Sequence, residues 1–278
     1  MKTDDRIAPS KAIEQPEPKL LSMTTSTTVA SCSATNNGED LTTPLNRPAR
    51  YFFIVMSFLF LIISALGFVP RYQAMYNGTL RFPIHWLAHV HGALMTTWLL
   101  VFITQTILAA KGYLKFHRQL GLFSIGIGVL IWISMWVASA RALISFNPPV
   151  GHFLFDVLII QCYGIVLFGL FFIWGILERK HGAIHKRLLF LSTLSLMQAA
   201  IDRMHWLPGL HTALYIRFFY LDALLILLYI YDWFILKRIH KVTWIGSLLY
   251  IISQVIVTMT WGSPAWHNFW FNLMNGFR

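Results

Sequence analysis

Residues 153–187 read FLFDVLIIQCYGIVLFGLFFIWGILERKHGAIHKR. From Phe153 to Leu177 a single charge, Asp156, interrupts 25 residues dominated by Leu, Ile, Val, Phe and Gly. The next ten residues, Glu178 to Arg187, carry five charges and two histidines. A hydrocarbon core about 30 Å thick takes roughly 20 residues of helix to cross. The first part of the stretch is therefore a membrane span, and the second is a basic elbow returning the chain to the bilayer.

The same alternation runs through the chain. Apolar segments occur at Tyr51–Val69, Ala88–Ala110, Leu120–Ala140, Phe153–Leu177, Leu188–His205, Thr212–Leu236 and Thr243–Trp261. None shows strict alternation of apolar and polar residues, so each reads as helix. Only helices and closed barrels satisfy their backbone in lipid. The fifth is the weakest, because Asp202, Arg203 and Pro208-Gly209 curtail it. The expectation is an all-α, polytopic transmembrane bundle of about seven helices over residues 47–278.

Composition agrees. Of 278 residues, 56% are hydrophobic and 12% charged, against about 25% charged in a soluble domain. Six of the 11 acids lie in the first 40 residues, leaving Asp156, Glu178, Asp202, Asp222 and Asp232 for the rest. So few charges cannot cover a water-facing surface. Residues 1–46 are polar, Ser/Thr-rich from Leu21 to Thr43 and without apolar periodicity, which reads as a disordered cytoplasmic tail. A start at Met23 would shorten it. The first apolar run begins too late for a secretory signal.

The net charge of +11 does not indicate nucleic acid, because the basic residues sit in short clusters between apolar runs. Lys111, Lys115, Arg118, then Arg179, Lys180, Lys186, Arg187, then Lys237, Arg238, Lys241 fill alternate connections. Arg71, Arg81, Arg141, Arg203, Arg217 and Arg278 are spread over the others. The positive-inside rule then puts the N-terminus inside and the C-terminus outside. Trp86, Trp206, Trp261 and Trp266 fall at the outer ends, and Trp174, Trp233 and Trp244 at the inner ends, as two aromatic belts. Cys32 and Cys162 offer neither a disulfide framework nor a thiolate metal site.

Two stretches carry a resemblance. One runs His89-x-His91-Gly92, Trp98, Gln105, His117-Arg118-x-x-Gly121; the other runs Asp156, His185-Lys186-Arg187-Leu188, Arg203. Together they resemble a widespread group of bacterial multi-pass membrane proteins with no established activity. The resemblance covers roughly residues 85–205 and implies a bacterial inner (plasma) membrane. It lends no mechanism. Within it, two hairpins each turn on a basic, histidine-bearing elbow, at His117-Arg118 and at His185-Lys186-Arg187, the pattern of a short duplication.

Ionisable groups within a span cost on the order of 2.5–3.5 kcal/mol at mid-helix and so face the bundle interior in pairs. On this topology an outer layer gathers His85, His89, His91, Arg141, His152, Asp156, Asp202, Arg203, Arg217 and Asp222. His89 and His91 lie about 200° apart around a helix and face different neighbours. Four readings follow. The first is a haem b protein for electron transfer, with His89 or His91 and His152 as axial ligands outside and His117 and His185 inside. The second is a zinc-dependent membrane hydrolase using His85, His89, His152 and Asp156 or Asp202. In helix number it resembles the progestin/adiponectin-receptor and alkaline ceramidase group, but the last helix lacks that group's H-x-x-x-H. The third is a transporter or channel, with Asp222 as a proton or cation site and Asp202, Arg203 and Arg217 as a vestibule. The fourth is a scaffold or assembly factor with no cofactor. The bilayer is the expected partner, alongside a redox or other membrane protein; the oligomeric state is open. His117, His181, His185 and His240 lie beside Lys or Arg and also suit plain basic elbows. His85, His205, His211 and His267 suit the membrane interface, and Asp232 and Glu178 suit interfacial pairs with Lys237 and Arg179.

Overall fold

A computed structural model of the chain describes residues 47–79, 84–144, 153–210 and 212–276. They form an all-α bundle: α1 (Arg47–Tyr76), α2 (Trp86–Ala110), α3 (Leu114–Ile144), α4 (Phe153–Leu177), α5 (Gly182–Ile201), α6 (Leu214–Leu236), α7 (Lys241–Thr260) and α8 (Pro264–Gly276). The tail read over residues 1–46 lies outside the described residues, as do Arg81, His152 and His211.

Six helices, α1 to α4, α6 and α7, are long and apolar enough to cross a membrane. Their outward faces are apolar, with Val55, Leu122 and Met259 exposed by 62%, 75% and 78%. Faces of that kind are suited to lipid rather than water. The chain is therefore a multi-pass membrane protein.

The seventh segment has a different reason for its weak hydropathy. α5 threads the middle of the other helices, and every residue from Phe190 to Gln198 is buried. Its neighbours are protein, so its polar side chains bond to helices rather than meeting lipid. Ser192 donates to the Phe168 carbonyl at 3.1 Å, and the Trp98 indole donates to Thr193 at 3.2 Å. Tyr250 donates to the Leu191 carbonyl at 2.6 Å. Gly67 of α1 lies against the backbone of Ala200, Ser64 reaches Met197 and Phe60 packs on Phe190, so these two helices run parallel and nearly touch.

Successive helices from α1 to α7 alternate in direction. Between α5 and α6 the antiparallel register is marked twice. Arg187 pairs with Asp232 near one end, and Asp202 lies 3.9 Å from Arg217 near the other. The two pairs are fifteen residues apart on each helix, about 22 Å along the axis, which brackets most of a hydrocarbon core.

Asp232 corrects one expectation. It is not an interfacial partner of Lys237 but a fully buried group with four hydrogen bonds. Arg187 Nε and Nη2 donate to its Oδ1 at 3.0 and 2.5 Å. The His240 backbone N–H and the Thr243 hydroxyl donate to its Oδ2 at 3.0 and 2.5 Å. Glu178 pairs with His181 at 2.7 Å rather than with Arg179. The apolar run read to Trp261 is also followed by a further helix. Ser263 caps it by accepting from the Trp266 N–H at 3.3 Å, and Pro264 suits a first helical position. α8 folds back onto the start of α4, where the Trp266 indole donates to the Phe155 carbonyl at 2.7 Å.

Candidate functional site at the two histidine elbows

The two hairpins α2–α3 and α4–α5 turn at the same, basic end of the bundle. Each second helix begins in the same way: His117 is the fourth residue of α3 and His185 the fourth of α5. Each imidazole then reaches back to a carbonyl near the end of the preceding helix. His117 Nδ1 lies 3.3 Å from the Gln105 carbonyl oxygen, and His185 Nδ1 lies 2.7 Å from that of Gly175. A carbonyl only accepts, so Nδ1 carries the proton in both rings. The other nitrogen, Nε2, is left with its lone pair and no hydrogen-bond partner among the described residues. A backbone acceptor on one imidazole nitrogen is also what orients a metal-binding histidine through the other.

The two rings meet. Their centroids are 6.4 Å apart and their planes almost perpendicular, at 87°. Gln105 braces the first elbow a second time, donating through Nε2 to the His117 carbonyl at 3.1 Å and to Ser124 at 3.3 Å. Gln105 Oε1 is buried without a partner. Lys186 beside the second elbow donates to the Tyr231 hydroxyl at 3.1 Å, and the Arg187–Asp232 pair sits one residue further on.

The other sequence-derived candidates are distributed over the opposite half of the bundle. His91 Nδ1 is 2.8 Å from the Ser134 hydroxyl of α3, whereas His89 faces α1, its ring 5.8 Å from that of Tyr72. The two histidines diverge as their spacing requires. His85 precedes α2 and caps it, accepting from the Leu87 N–H at 3.3 Å, so it shares no helix face with His89. Asp156 accepts from the Gly262 N–H at 2.8 Å and pairs with His267 at 2.9 Å, which makes it the anchor of α8. Asp202 accepts from Gln198 at 2.9 Å and faces Arg217. Arg203 has its guanidinium over the Phe68 ring at 4.6 Å and donates to the Ala199 carbonyl. Arg141 is exposed in the last turn of α3. Asp222 accepts from Gln254 of α7 at 2.8 Å. Among the described residues no three His, Cys, Asp or Glu side chains gather as a metal site. Of the two axial pairs expected from sequence, His117 and His185 are in ring contact, and the outer pair rests on His152, which lies outside the described residues.

The sequence reading does not reach the buried anchors His267, Thr243 and the His240 N–H. Only Ser263-Pro264, a cap followed by a first-turn proline, signals the helix that carries His267. No family model matches this chain, and neither does any curated protein or solved structure, so its function rests on its own residues.

Proposed function

We propose that this membrane protein binds haem b between His117 and His185 and serves electron transfer. The observation that carries the reading is the ring pair itself, with both Nδ1 protons spent on backbone carbonyls. Two histidines are only half of a zinc set, which takes four ligands or three and a water. They are a complete axial set for haem, whose macrocycle supplies the other four nitrogens. His117 and His185, their ring centroids 6.4 Å apart, would hold the iron, and the haem would supply one-electron chemistry when bound. Arg118, Lys115 and Arg179 stand in the same elbows, where cations would neutralise the haem propionates.

The expected result is a Soret band, with about one haem per chain, in protein purified from haem-replete cells. His117→Ala and His185→Ala should each remove it, and His91→Ala should leave it in place. Purified protein without visible absorbance would sink the reading, as would a band that survives the double replacement. Elemental analysis of the same sample reports zinc, the competing occupant.

The basic loops further support an N-terminus on the cytoplasmic side of the membrane. A single cysteine introduced at Lys180, in a chain whose native cysteines are replaced by serine, should resist a membrane-impermeant maleimide in intact cells. A cysteine at Gly262 should react. The reverse pattern overturns the orientation.

A further inference from the structure

A second polar site lies at mid-membrane depth, among α4, α6 and α7. Asp222 stands near the middle of α6, half-buried. Its hydrogen-bond partner is the Gln254 amide, which donates to Oδ1 at 2.8 Å. No cation pairs with it among the described residues. The turns of α6 on either side present Phe219 and Ile226 outward, exposed by 65% and 54%, so the hydrocarbon reaches this face. Behind Asp222 lies Tyr163 of α4. Its ring contacts Phe218 at 5.6 Å and Tyr250 at 6.3 Å, residues one turn before Asp222 and Gln254. The Tyr163 hydroxyl lies within electrostatic reach of the Gln254 amide and the Asp222 carboxyl, though not in hydrogen-bonding geometry with either. Tyr163 is 4% exposed, yet its hydroxyl is buried with no hydrogen-bond partner.

A buried tyrosine hydroxyl usually finds a partner. A carboxyl in lipid with one amide for company is equally short of them. Here an unspent donor and an unspent carboxyl oxygen flank one glutamine, with Tyr163 and Gln254 buried and Asp222 half-buried beneath the lipid-facing side of α6. We propose that this is a lateral binding site for a lipid-soluble quinone or quinol. A ring carbonyl would accept from Tyr163 and a ring hydroxyl would bond Asp222. A water-soluble ion would need an aqueous entrance, whereas a flat, apolar ring with oxygens at its edge enters from the hydrocarbon.

This site shares no residue with the His117–His185 pair and does not depend on it. The test is equilibrium binding of decylubiquinone to the full-length protein in phosphatidylcholine nanodiscs. The expected result is saturable binding, weakened at least tenfold by Tyr163→Phe and by Asp222→Asn. It should be unchanged by Tyr215→Phe, a lipid-facing tyrosine on the same helix, and by the double replacement of His117 and His185 with alanine. That last arm separates this site from the haem reading, since loss of the Soret band leaves quinone binding intact. Non-saturable partition, or equal binding by Tyr163→Phe and Asp222→Asn, overturns the proposal. If those variants do not fold, thermal melting of the unaltered protein decides. Decylubiquinone should raise the melting temperature and decylbenzene should not, and equal shifts overturn the site.

Discussion

Arg187→Met is expected to lower the melting temperature of the purified protein by about 10 °C, taking roughly 3–5 kcal/mol for a buried pair broken on one side and about 2–4 °C per kcal/mol at this size. Arg187 and Asp232 are both fully inaccessible. Removing the guanidinium leaves Asp232 with two donors, His240 N–H and Thr243, and no countercharge. It also frees the Ala183 carbonyl, which Arg187 Nη1 reaches at 2.7 Å. The cost is the uncompensated carboxylate, so removing both charges should cost less than removing one. Arg187→Met with Asp232→Leu is expected to recover at least half of the lost stability. The pair at the other end of the two helices supplies the control. Arg217 and Asp202 are 3.9 Å apart and 22% and 19% exposed, a geometry worth about 1 kcal/mol or less. Arg217→Met should therefore move the melting temperature by a few degrees at most. Equal effects of Arg187→Met and Arg217→Met, read by fluorescence-detected size exclusion after heating, would remove the distinction between clamp and rim.

That contrast also shows how far one sequence can be read. The charges of α5 and α6 are visible in the chain, but Arg187 and Asp232 are 45 residues apart. Nothing local says that Asp232 turns inward to Arg187 rather than outward to Lys237. Hydropathy recovers the six helices that face lipid, because their composition reports the solvent around them. It undervalues α5 for the same reason: Ser192 and Thr193 bond to neighbouring helices, Ser195 and Gln198 are buried among them, and composition cannot distinguish a protein neighbour from a water one. The elbows are legible as His117-Arg118 and His185-Lys186-Arg187. Their meeting is foreseen only as one of two axial pairs, since it depends on how two hairpins dock. The outer histidines look richer in sequence. His89 and His91 instead diverge to α1 and α3, and Asp156 is taken by α8. Gln254 of α7 is the partner of Asp222, and nothing local to either helix announces it.

Glycines carry the last large effect, and Gly67, Gly126, Gly128 and Gly169 should not behave alike. A methyl group at Gly67 would fall 2.8 Å from the Ala200 Cα and 2.9 Å from its carbonyl carbon. Those are backbone atoms of the central helix, and they cannot rotate aside. Relief requires α1 to move away from α5, loosening the Phe60–Phe190 contact at 5.3 Å and the Ser64 bond to Met197. Gly67→Ala is therefore expected to cost about 3 kcal/mol, at the upper end of overpacking, and Gly67→Leu to abolish monodisperse protein. Gly128 and Gly169 form an intermediate class. Phe172 of α4 packs on Gly128 of α3, and Trp132 of α3 packs on Gly169 of α4, so side chains rather than backbone would have to yield. Trp132 is held by its indole bond to the Ile165 carbonyl at 3.1 Å, which makes Gly169→Ala worse than an unanchored ring would allow. At Gly126 an added methyl meets nothing within 4 Å, and Gly126→Ala should be neutral or slightly stabilising through helix propensity. The expected order of melting temperatures is Gly126→Ala highest, then Gly169→Ala, then Gly67→Ala. A Gly67→Ala protein as stable as Gly126→Ala would mean that α1 and α5 do not meet at Ala200, and the central position of α5 would fall with that contact.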